Sequence, residues 1–188
     1  MSSLLVNYLN SVSPLSNALK EKLYSIIQIK EFSKKEIILS EGQVSNYIYF
    51  IEKGFIRSYC IKEGKEITAW FMADNDFIIS VNSFFKRAKS YEFIETIEDS
   101  IVHFVHYDEL EKLYKEFLEF NVVGRILTTH YYVLSEERLY NMRKQTAEER
   151  YYFLIEKHPQ VFQRAPLSQI ASYLGMSFET LSRVRAKK

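Results

Sequence analysis

The chain has 188 residues, with 25 Lys and Arg against 24 Asp and Glu, so its formal net charge is only +1. Hydrophobic residues make up 47% and aromatic residues 15% of the sequence, which is enough for packed cores in one or two domains. No apolar run approaches the roughly 18 residues of a membrane span, the first residues lack a secretory signal pattern, and the single Cys60 excludes an intramolecular disulfide. These features predict a cytoplasmic protein that does not engage a membrane.

The charge is distributed unevenly along the chain. Residues 141–188 contain nine Lys and Arg against four Glu, whereas residues 1–140 contain 16 basic and 20 acidic side chains. A basic C-terminal segment on an acidic body indicates a polyanionic partner at the C-terminus.

The first 107 residues predict a short helical start followed by strands. Residues 29–106 are a series of short β-branched and aromatic runs, interrupted by turn segments at 52–54, 62–64 and 73–76. Many short strands separated by Gly, Asn and Asp turns are typical of a sandwich or barrel. We therefore predict residues 1–107 to be one domain and the fold class to be α+β.

Residues 108–140 predict a long helix. The segment that starts at Asp108 has a capping-box pattern, and no Pro interrupts the chain before about Leu139. One apolar stripe at helical spacing is a candidate dimer seam. Its members are Phe120, Val123, Leu127, Tyr131 and Leu134. The alternative, a helix that packs on its own barrel, is as well supported for residues 108–118 and less well for 120–140.

Residues 141–188 predict an all-helical module that ends in a helix-turn-helix. The apolar face of the first helix includes Ala171, which is small enough for two helices to cross there. Gly175 supplies the left-handed residue that a sharp turn needs. Ser177 can cap a second helix, whose buried side holds Leu181 and Val184. The outer face of that helix is basic, and Arg and Lys side chains can contact guanine and phosphate.

These residues resemble the Crp–Fnr family of bacterial regulators. Residues 146–185, from TAEERYYFLIEKHP to IASYLGMSFETLSRVR, are especially similar to its Bacteroidetes branch. The resemblance implies a cyclic-nucleotide-binding-like antiparallel β-roll over 1–107, a dimerisation helix over 108–140 and a DNA-binding domain over 141–188. It also implies a cytoplasmic homodimer that binds a palindromic double-stranded DNA operator to regulate transcription, with RNA polymerase as a candidate partner.

The family's S-x-E-T-x-x-R motif reads bases, and it matches Ser177, Glu179, Thr180 and Arg183. Phe178 stands where the family often has Arg, so one base contact is either lost or replaced by an apolar contact to a thymine methyl group. Many members continue into a β wing, whereas the sequence given ends at Lys188, so wing contacts are not part of the prediction. The predicted DNA-binding residues are Ser177, Phe178, Glu179, Thr180, Ser182, Arg183, Arg185, Lys187 and Lys188.

Cyclic-nucleotide-binding relatives hold the ribose and phosphate with Gly-Glu and Arg-Ser pairs. Here Ile79–Ser80 and Lys89–Ser90 stand in those places, so a carboxylate and an arginine are missing and cyclic AMP is not predicted as the effector. A candidate pocket for another anionic ligand comprises Ile79, Ser80, Asn82, Ser83, Lys89 and Ser90. The alternative is a vestigial pocket filled by aromatic side chains, namely Phe84, Phe85 and Tyr91.

The alternatives to a DNA-binding regulator are a cupin-like metalloenzyme and a ligand-binding or interaction protein without a DNA function. A cupin-like metalloenzyme needs several His and Glu side chains that converge on a metal, but the barrel region offers only His103 and His106, which lie three apart in a strand and diverge. A ligand-binding or interaction protein without a DNA function would suit a neutral helix face better than a basic one. We therefore predict no enzyme activity, no metal and no cofactor.

Overall fold

Two short helices precede the strands. The structure, a computed structural model, describes residues 3–187. Helix α1 spans Leu4–Val12 and helix α2 spans Asn17–Ile26. The Ser16 hydroxyl caps α2 by accepting a hydrogen bond from the Leu19 backbone N–H. Leu5 and Leu9 of α1 and Leu19 and Leu23 of α2 are buried in the largest of the hydrophobic cores.

Eight strands follow, joined by turns and by one short helix, α3, at Val81–Lys86. The strands are β1 Gln28–Phe32, β2 Ile37–Leu39, β3 Tyr47–Lys53, β4 Ile56–Lys62, β5 Lys65–Met72, β6 Phe77–Ile78, β7 Phe93–Thr96 and β8 Ser100–His106. They form two four-stranded antiparallel sheets, in the orders β1-β8-β3-β6 and β2-β7-β4-β5. The predicted antiparallel β-roll is confirmed.

The two sheets share a dry apolar layer. Ile51 of β3 and Val102 of β8 come from one sheet, Ile56 of β4 and Ile94 of β7 come from the other, and all four are fully buried in one cluster. Inward-facing β-branched side chains from both sheets therefore close the roll, as expected for a sandwich of antiparallel sheets.

The turn between β3 and β4 depends on Gly54. Its φ is +133°, a conformation that residues with a Cβ rarely adopt. A Cβ at this position would lie 2.1 Å from the Ser100 Oγ and 2.8 Å from the Ser100 Cα on β8. The Gly54 N–H donates a hydrogen bond of 2.7 Å to the Asp74 Oδ1. The chain can therefore cross between the sheets here only without a side chain.

The helix predicted from Asp108 to about Leu139 is in fact two helices. Helix α4 spans Tyr107–Glu116 and helix α5 spans Leu118–Lys144. Phe117 separates them in an extended conformation, with φ −122° and ψ 93°, and its side chain packs against the main core. Neither Gly nor Pro marks the break. Helix α5 also continues beyond the predicted limit at residue 140, so the break predicted at 141–146 narrows to Gln145 and Thr146.

Four helices complete the described chain, and their bounds are α6 Ala147–Lys157, α7 Pro159–Arg164, α8 Leu167–Tyr173 and α9 Phe178–Ala186. A capping box begins α6: the Thr146 N–H donates to the Glu149 side chain at 2.7 Å, and the Glu149 N–H donates to the Thr146 Oγ1 at 3.3 Å. Within residues 3–187, no helix combines the length and the apolar character that crossing a membrane would need.

The C-terminal helices pack on the β-roll of the same chain. Their core cluster includes Phe55 and Ile97 of the roll. The Arg164 guanidinium on α7 bridges the Asp74 carboxylate at 2.9 Å and the Glu98 carboxylate at 2.5 Å, both of which belong to the roll. Apolar packing and this double ion pair together fix the position of the C-terminal helices.

We expect Gly54→Ala to destabilise the protein far more than Gly64→Ala. Both glycines have positive φ, but a Cβ at Gly64 would meet nothing within 4 Å, so its cost is about 1–2 kcal/mol for the backbone conformation alone. At Gly54 the clash with Ser100 adds to that cost, and the total loss should exceed about 3 kcal/mol. Urea unfolding of both variants measures the difference, and equal losses would contradict this assignment.

Candidate nucleic-acid interface

Helix α8 is the first helix of the predicted helix-turn-helix. It starts directly after Pro166, whose fixed φ suits a helix start. Ile170 and Ala171 are buried to at least 98%, and they lie in one apolar cluster with the residues of α9. Ala171 therefore occupies the crossing point that the sequence pattern predicts for a small side chain.

The turn after α8 is closed by backbone hydrogen bonds. The Met176 N–H donates to the Ala171 carbonyl at 3.0 Å, and the Gly175 N–H donates to the Ser172 carbonyl at 3.0 Å. Gly175 has φ +64°, the left-handed conformation of a helix C-terminal cap. The sharp reversal of the chain thus satisfies the last carbonyls of α8.

Helix α9 begins at a capped serine and buries one face. The Ser177 hydroxyl accepts a hydrogen bond of 3.2 Å from the Thr180 N–H, which satisfies a free donor of the first turn. Leu181 and Val184 are buried against Leu154 and the rest of the C-terminal cluster. The base of α9 is therefore rigid, and its other face points to solvent.

Most of the residues predicted to read DNA share this solvent-facing side of α9. The exposed ones are Ser177, Phe178, Glu179, Ser182, Arg183, Arg185 and Lys187. Thr180 is half-buried and takes part in the cap. Lys188 lies outside the described residues. The structure thus places eight of the nine predicted side chains on α9 and its two caps, and seven of them are exposed.

Some charged side chains on this surface have an ion-pair partner within the protein and others do not. Within residues 3–187, Arg183 and Arg185 form no ion pair, whereas Lys187 pairs with Glu148 at 2.7 Å on the exposed surface. The Glu179 backbone N–H and the Ser177 hydroxyl, at the start of α9, lower the pKa of the Glu179 carboxyl. The outer face of α9 therefore presents two unpaired guanidinium groups and one ionised carboxylate.

Two arginines of the basic C-terminal segment serve the structure instead. The Arg150 guanidinium donates to the Leu174 carbonyl at 2.8 Å and to the Gln145 carbonyl at 2.6 Å. Arg164 forms the bridge to the β-roll described above. The excess of positive charge in residues 141–188 is thus partly used for packing, and its free part lies on α9 and near the ends of the helices.

No pattern in the sequence indicates the contact between α8 and strand β5. The Thr68 N–H donates to the Ser172 Oγ at 3.0 Å, and that hydroxyl donates to the Glu66 carbonyl at 3.0 Å. Strand β5 lies at the edge of its sheet, so one serine satisfies backbone groups that edge strands leave unpaired. Nearby, the Arg138 guanidinium lies 3.8 Å above the Tyr173 ring and donates to the Tyr173 carbonyl.

The predicted effector pocket is not an open polar site. Ser80, Ser83 and Ser90 are buried, and their hydroxyls are used within the protein. Ser80 and Ser90 hydrogen-bond each other at 3.0 Å. The Ser83 hydroxyl accepts from the Ser45 N–H at 2.8 Å and donates to the Ala88 carbonyl at 2.5 Å. Because these groups satisfy one another, they are not free to bind a phosphate.

The other three members of that prediction do not assemble around these serines. Lys89 is exposed, Asn82 is half-buried, and Ile79 packs against the main core. Arg87, which the sequence reasoning did not single out, donates to the Ser45 carbonyl at 2.8 Å and lies 4.2 Å above the Tyr107 ring. The basic side chains of this segment thus hold the loop or face solvent.

The two histidines of β8 also have local roles. His103 is buried and pairs with the Glu52 carboxylate. The His106 ring accepts a hydrogen bond of 3.2 Å from the Asp108 N–H at the start of α4. Among residues 3–187, no group of three or more His, Cys, Asp or Glu side chains is arranged to hold a metal ion.

The stripe predicted as a dimer seam packs inside the chain itself. Phe120 and Val123 are buried in the main core, and Leu127 packs against it. The Tyr131 hydroxyl accepts a hydrogen bond of 2.7 Å from the Phe77 N–H of β6, and burial raises the pKa of Tyr131. Leu134 is half-buried beside the C-terminal helices. This stripe therefore packs against other parts of the same chain, which corrects the seam assignment.

A second apolar stripe of α5 is exposed. It consists of Val122, Ile126, Val133 and Tyr140, with exposed fractions between 37% and 60%. These residues are spaced by four and seven positions, which is the spacing of a coiled-coil seam. They lie on the side of α5 that faces away from the buried stripe.

The comparisons with known proteins agree on the fold. Residues 29–117 match the family model of the cyclic nucleotide-binding domain. No curated protein sequence matches the chain significantly. The structure is similar to that of FixK2 from Bradyrhizobium japonicum, with a TM-score of 0.72 and 23% identity over 86% of this chain and 84% of that one.

Two further solved structures are similar over nearly the whole chain. A putative transcriptional regulator of the Crp/Fnr family from Eubacterium rectale has a TM-score of 0.71 and 19% identity, over 96% of this chain and 87% of that one. A mutant of CooA from Carboxydothermus hydrogenoformans has a TM-score of 0.69 and 20% identity, over 100% and 84%. The Bacteroidetes branch stays a prediction. Residues 29–117 thus match the family of cyclic nucleotide-binding domains, and the chain has the fold seen in solved structures of Crp/Fnr-family transcriptional regulators.

Proposed function

We propose that the chain is a sequence-specific DNA-binding transcription regulator that acts as a homodimer on a palindromic operator. The observation that carries this proposal is α9, a capped helix on a rigid apolar base whose exposed face holds unpaired arginines. A helix of this kind fits the major groove of B-DNA, where side chains reach the base edges.

The chemistry of the exposed face suits base reading. Arg183 lies one and a half turns into α9, and its guanidinium can donate to guanine O6 and N7. Glu179, in the first turn, is ionised and can accept a hydrogen bond from cytosine N4. Phe178 is 48% exposed, which is costly for an aromatic ring in water and is relieved by contact with a thymine methyl group. Arg185 and Lys187 are placed for phosphate contacts.

The rival interpretation is a ligand-binding or cupin-like barrel that has no DNA function and keeps the helices for packing only. Packing explains the buried face of α9 but leaves the exposed, unpaired Arg183 and Arg185 without a role. In a DNA-binding regulator the buried face of α9 would position the helix and the exposed arginines would contact DNA. A DNA-binding role also implies the cytoplasmic location predicted from the sequence, with RNA polymerase as a candidate partner.

The homodimer proposal now depends on the exposed stripe of α5. One recognition helix covers only a few base pairs, so genomic specificity generally requires two half-sites. A second copy of α5 is the occupant that matches the stripe, because heptad-spaced apolar residues can interlock with the same residues of a parallel copy. Val122, Ile126, Val133 and Tyr140 would then be buried across a two-fold axis.

For Arg183→Ala we expect a loss of about 1–3 kcal/mol in operator binding and a relaxed preference at one base pair of each half-site, because a base-reading fork is removed. The measurement is in-vitro selection of operators with purified protein, followed by affinity titrations. Lys187→Ala is the matched control: it should weaken binding to all sequences alike and flatten the salt dependence. Selectivity like that of the wild type in Arg183→Ala would exclude this role.

Val122→Asp combined with Ile126→Asp should convert the dimer to a folded monomer, since carboxylates of two copies would be buried together at the seam. Sedimentation should report a monomer, circular dichroism should be unchanged, and binding to half-sites about one helical turn apart should be lost.

Two variants of the same helix distinguish this seam from the stripe predicted first. Val123→Asp buries a charge in the chain's own core and should unfold the roll. Leu139→Asp changes an exposed residue outside the stripe and should leave the dimer intact. A wild-type chain that sediments as a monomer at micromolar concentration would disprove the dimer, and a dimeric double variant would disprove this seam.

Cyclic AMP and cyclic GMP should show no saturable binding at millimolar concentration in titration calorimetry. The phosphate of either nucleotide would need a cation and free donors where Ser80, Ser83 and Ser90 are already paired with protein groups. A micromolar dissociation constant for either nucleotide would contradict this prediction.

A further inference from the structure

A large cavity lies between the β-roll and α5. Its volume is about 330 Å³, which is within the range of about 300–1,000 Å³ typical of small-molecule sites. The roll contributes Ile48 and Phe77, α3 contributes Phe84, and α5 contributes Leu127. Of the six residues predicted from the sequence as an effector pocket, only Ile79 lines it.

None of the described residues that line this cavity has a charged side chain. The polar side-chain groups of its lining residues are the Trp70 indole N–H and several hydroxyls, among them those of Ser58, Thr128, Tyr131 and Ser135. The Tyr131 hydroxyl already accepts from the Phe77 N–H, and the Ser135 hydroxyl donates to the Tyr131 carbonyl at 2.8 Å. An anion buried here would lose its hydration without gaining a cation, which is strongly unfavourable.

Water is also a poor occupant. An ordered buried water makes about three hydrogen bonds, and the hydroxyls of Tyr131 and Ser135 already bond within the protein. An empty cavity of this size leaves the surrounding aromatic and aliphatic groups without dispersion contacts on one side. The occupant that the wall matches is an apolar molecule.

We propose that the cavity between the β-roll and α5 is an effector site for an uncharged, mainly apolar small molecule, in place of a cyclic nucleotide. Thr128 and Ser135 are exposed at its edge on α5, where their hydroxyls provide for one polar group of the ligand. Ser58, on β4, lines the roll side of the cavity.

The site is connected to the DNA-binding helices through strand β5. Trp70 and Met72 line the large cavity and also a smaller one, of about 120 Å³, between the roll and the C-terminal helices. The Arg138 guanidinium lies 5.5 Å from the Trp70 ring and 3.8 Å from the Tyr173 ring of α8. Binding itself is independent of the DNA-binding role proposed above, and only its regulatory consequence rests on that role.

Trp70 is the single tryptophan of the chain, so its emission reports directly on the cavity. The probe is N-phenyl-1-naphthylamine, which is uncharged, apolar and fluorescent. We expect it to bind the full-length protein saturably, with quenching of Trp70 emission and energy transfer to the probe. Cyclic AMP in large excess should neither displace the probe nor change Trp70 emission.

Filling the cavity should abolish this binding. Ile79→Phe extends a wall residue into the space, and Thr128→Phe does so from an exposed position, where folding is not at risk. Both should raise the dissociation constant of the probe at least tenfold. Ile37→Phe is the matched control: Ile37 is an exposed residue of β2 that does not line the cavity, and the change should alter the dissociation constant less than twofold. Circular dichroism of each variant verifies the fold.

Three results would overturn the proposal. These are the absence of saturable probe binding, an unchanged affinity in folded Thr128→Phe, and displacement of the probe by cyclic AMP. The regulatory consequence is tested separately, by operator affinity with and without the probe. A change in operator affinity when the probe is added supports the effector role. If the protein binds both the probe and DNA but its operator affinity does not change, the effector role is wrong, and the cavity is a binding site without a regulatory role. Failure of DNA binding itself points instead to the proposed function.

Discussion

The packing of α5 on the β-roll is the constraint from which the other features follow. Phe120 and Val123 belong to the same buried cluster as Phe50 and Val105 of the roll, so the helix is part of the core. Burying such side chains contributes about 1.5–3 kcal/mol each. Because one side of α5 is fixed in this way, its opposite stripe must face outward. The gap left between helix and roll becomes the large cavity.

The same constraint determines where the C-terminal helices lie. Helix α5 ends at Lys144, and only Gln145 and Thr146 separate it from α6, so the C-terminal helices cannot move far from the roll without a change in α5 or its contacts. Specific polar contacts strengthen this junction: Ser172 of α8 hydrogen-bonds the backbone of edge strand β5, and Arg164 forms ion pairs with two carboxylates of the roll. Arg164 is largely buried, and a paired charge in such a place costs more to separate than one on the surface.

Local patterns were predictable from the sequence, and the choice of partners was not. The register of Ala171, Gly175, Leu181 and Val184 depends on helix geometry and one left-handed turn, both of which are properties of neighbouring residues. The stripe at Phe120 and Val123 was also recognised correctly as apolar. Periodicity, however, states only that a face is buried and does not identify the surface that covers it. The break at Phe117 and the bridges of Arg164 depend on contacts between residues far apart in the sequence.

The hydrogen bonding of the segment predicted as an effector pocket can be understood in the same physical terms. A carboxylate and a guanidinium that hold a ribose and a phosphate lose hydration in the complex, which is costly unless the ligand pairs with them. Here serines occupy that segment, and they satisfy one another or the backbone, so the protein needs no ligand to complete its hydrogen bonds. These serines do not line the cavity beside α5, which is lined mainly by aromatic and aliphatic side chains. A binding site there can derive affinity only from apolar contact, and its selectivity must come from shape and a few hydroxyls.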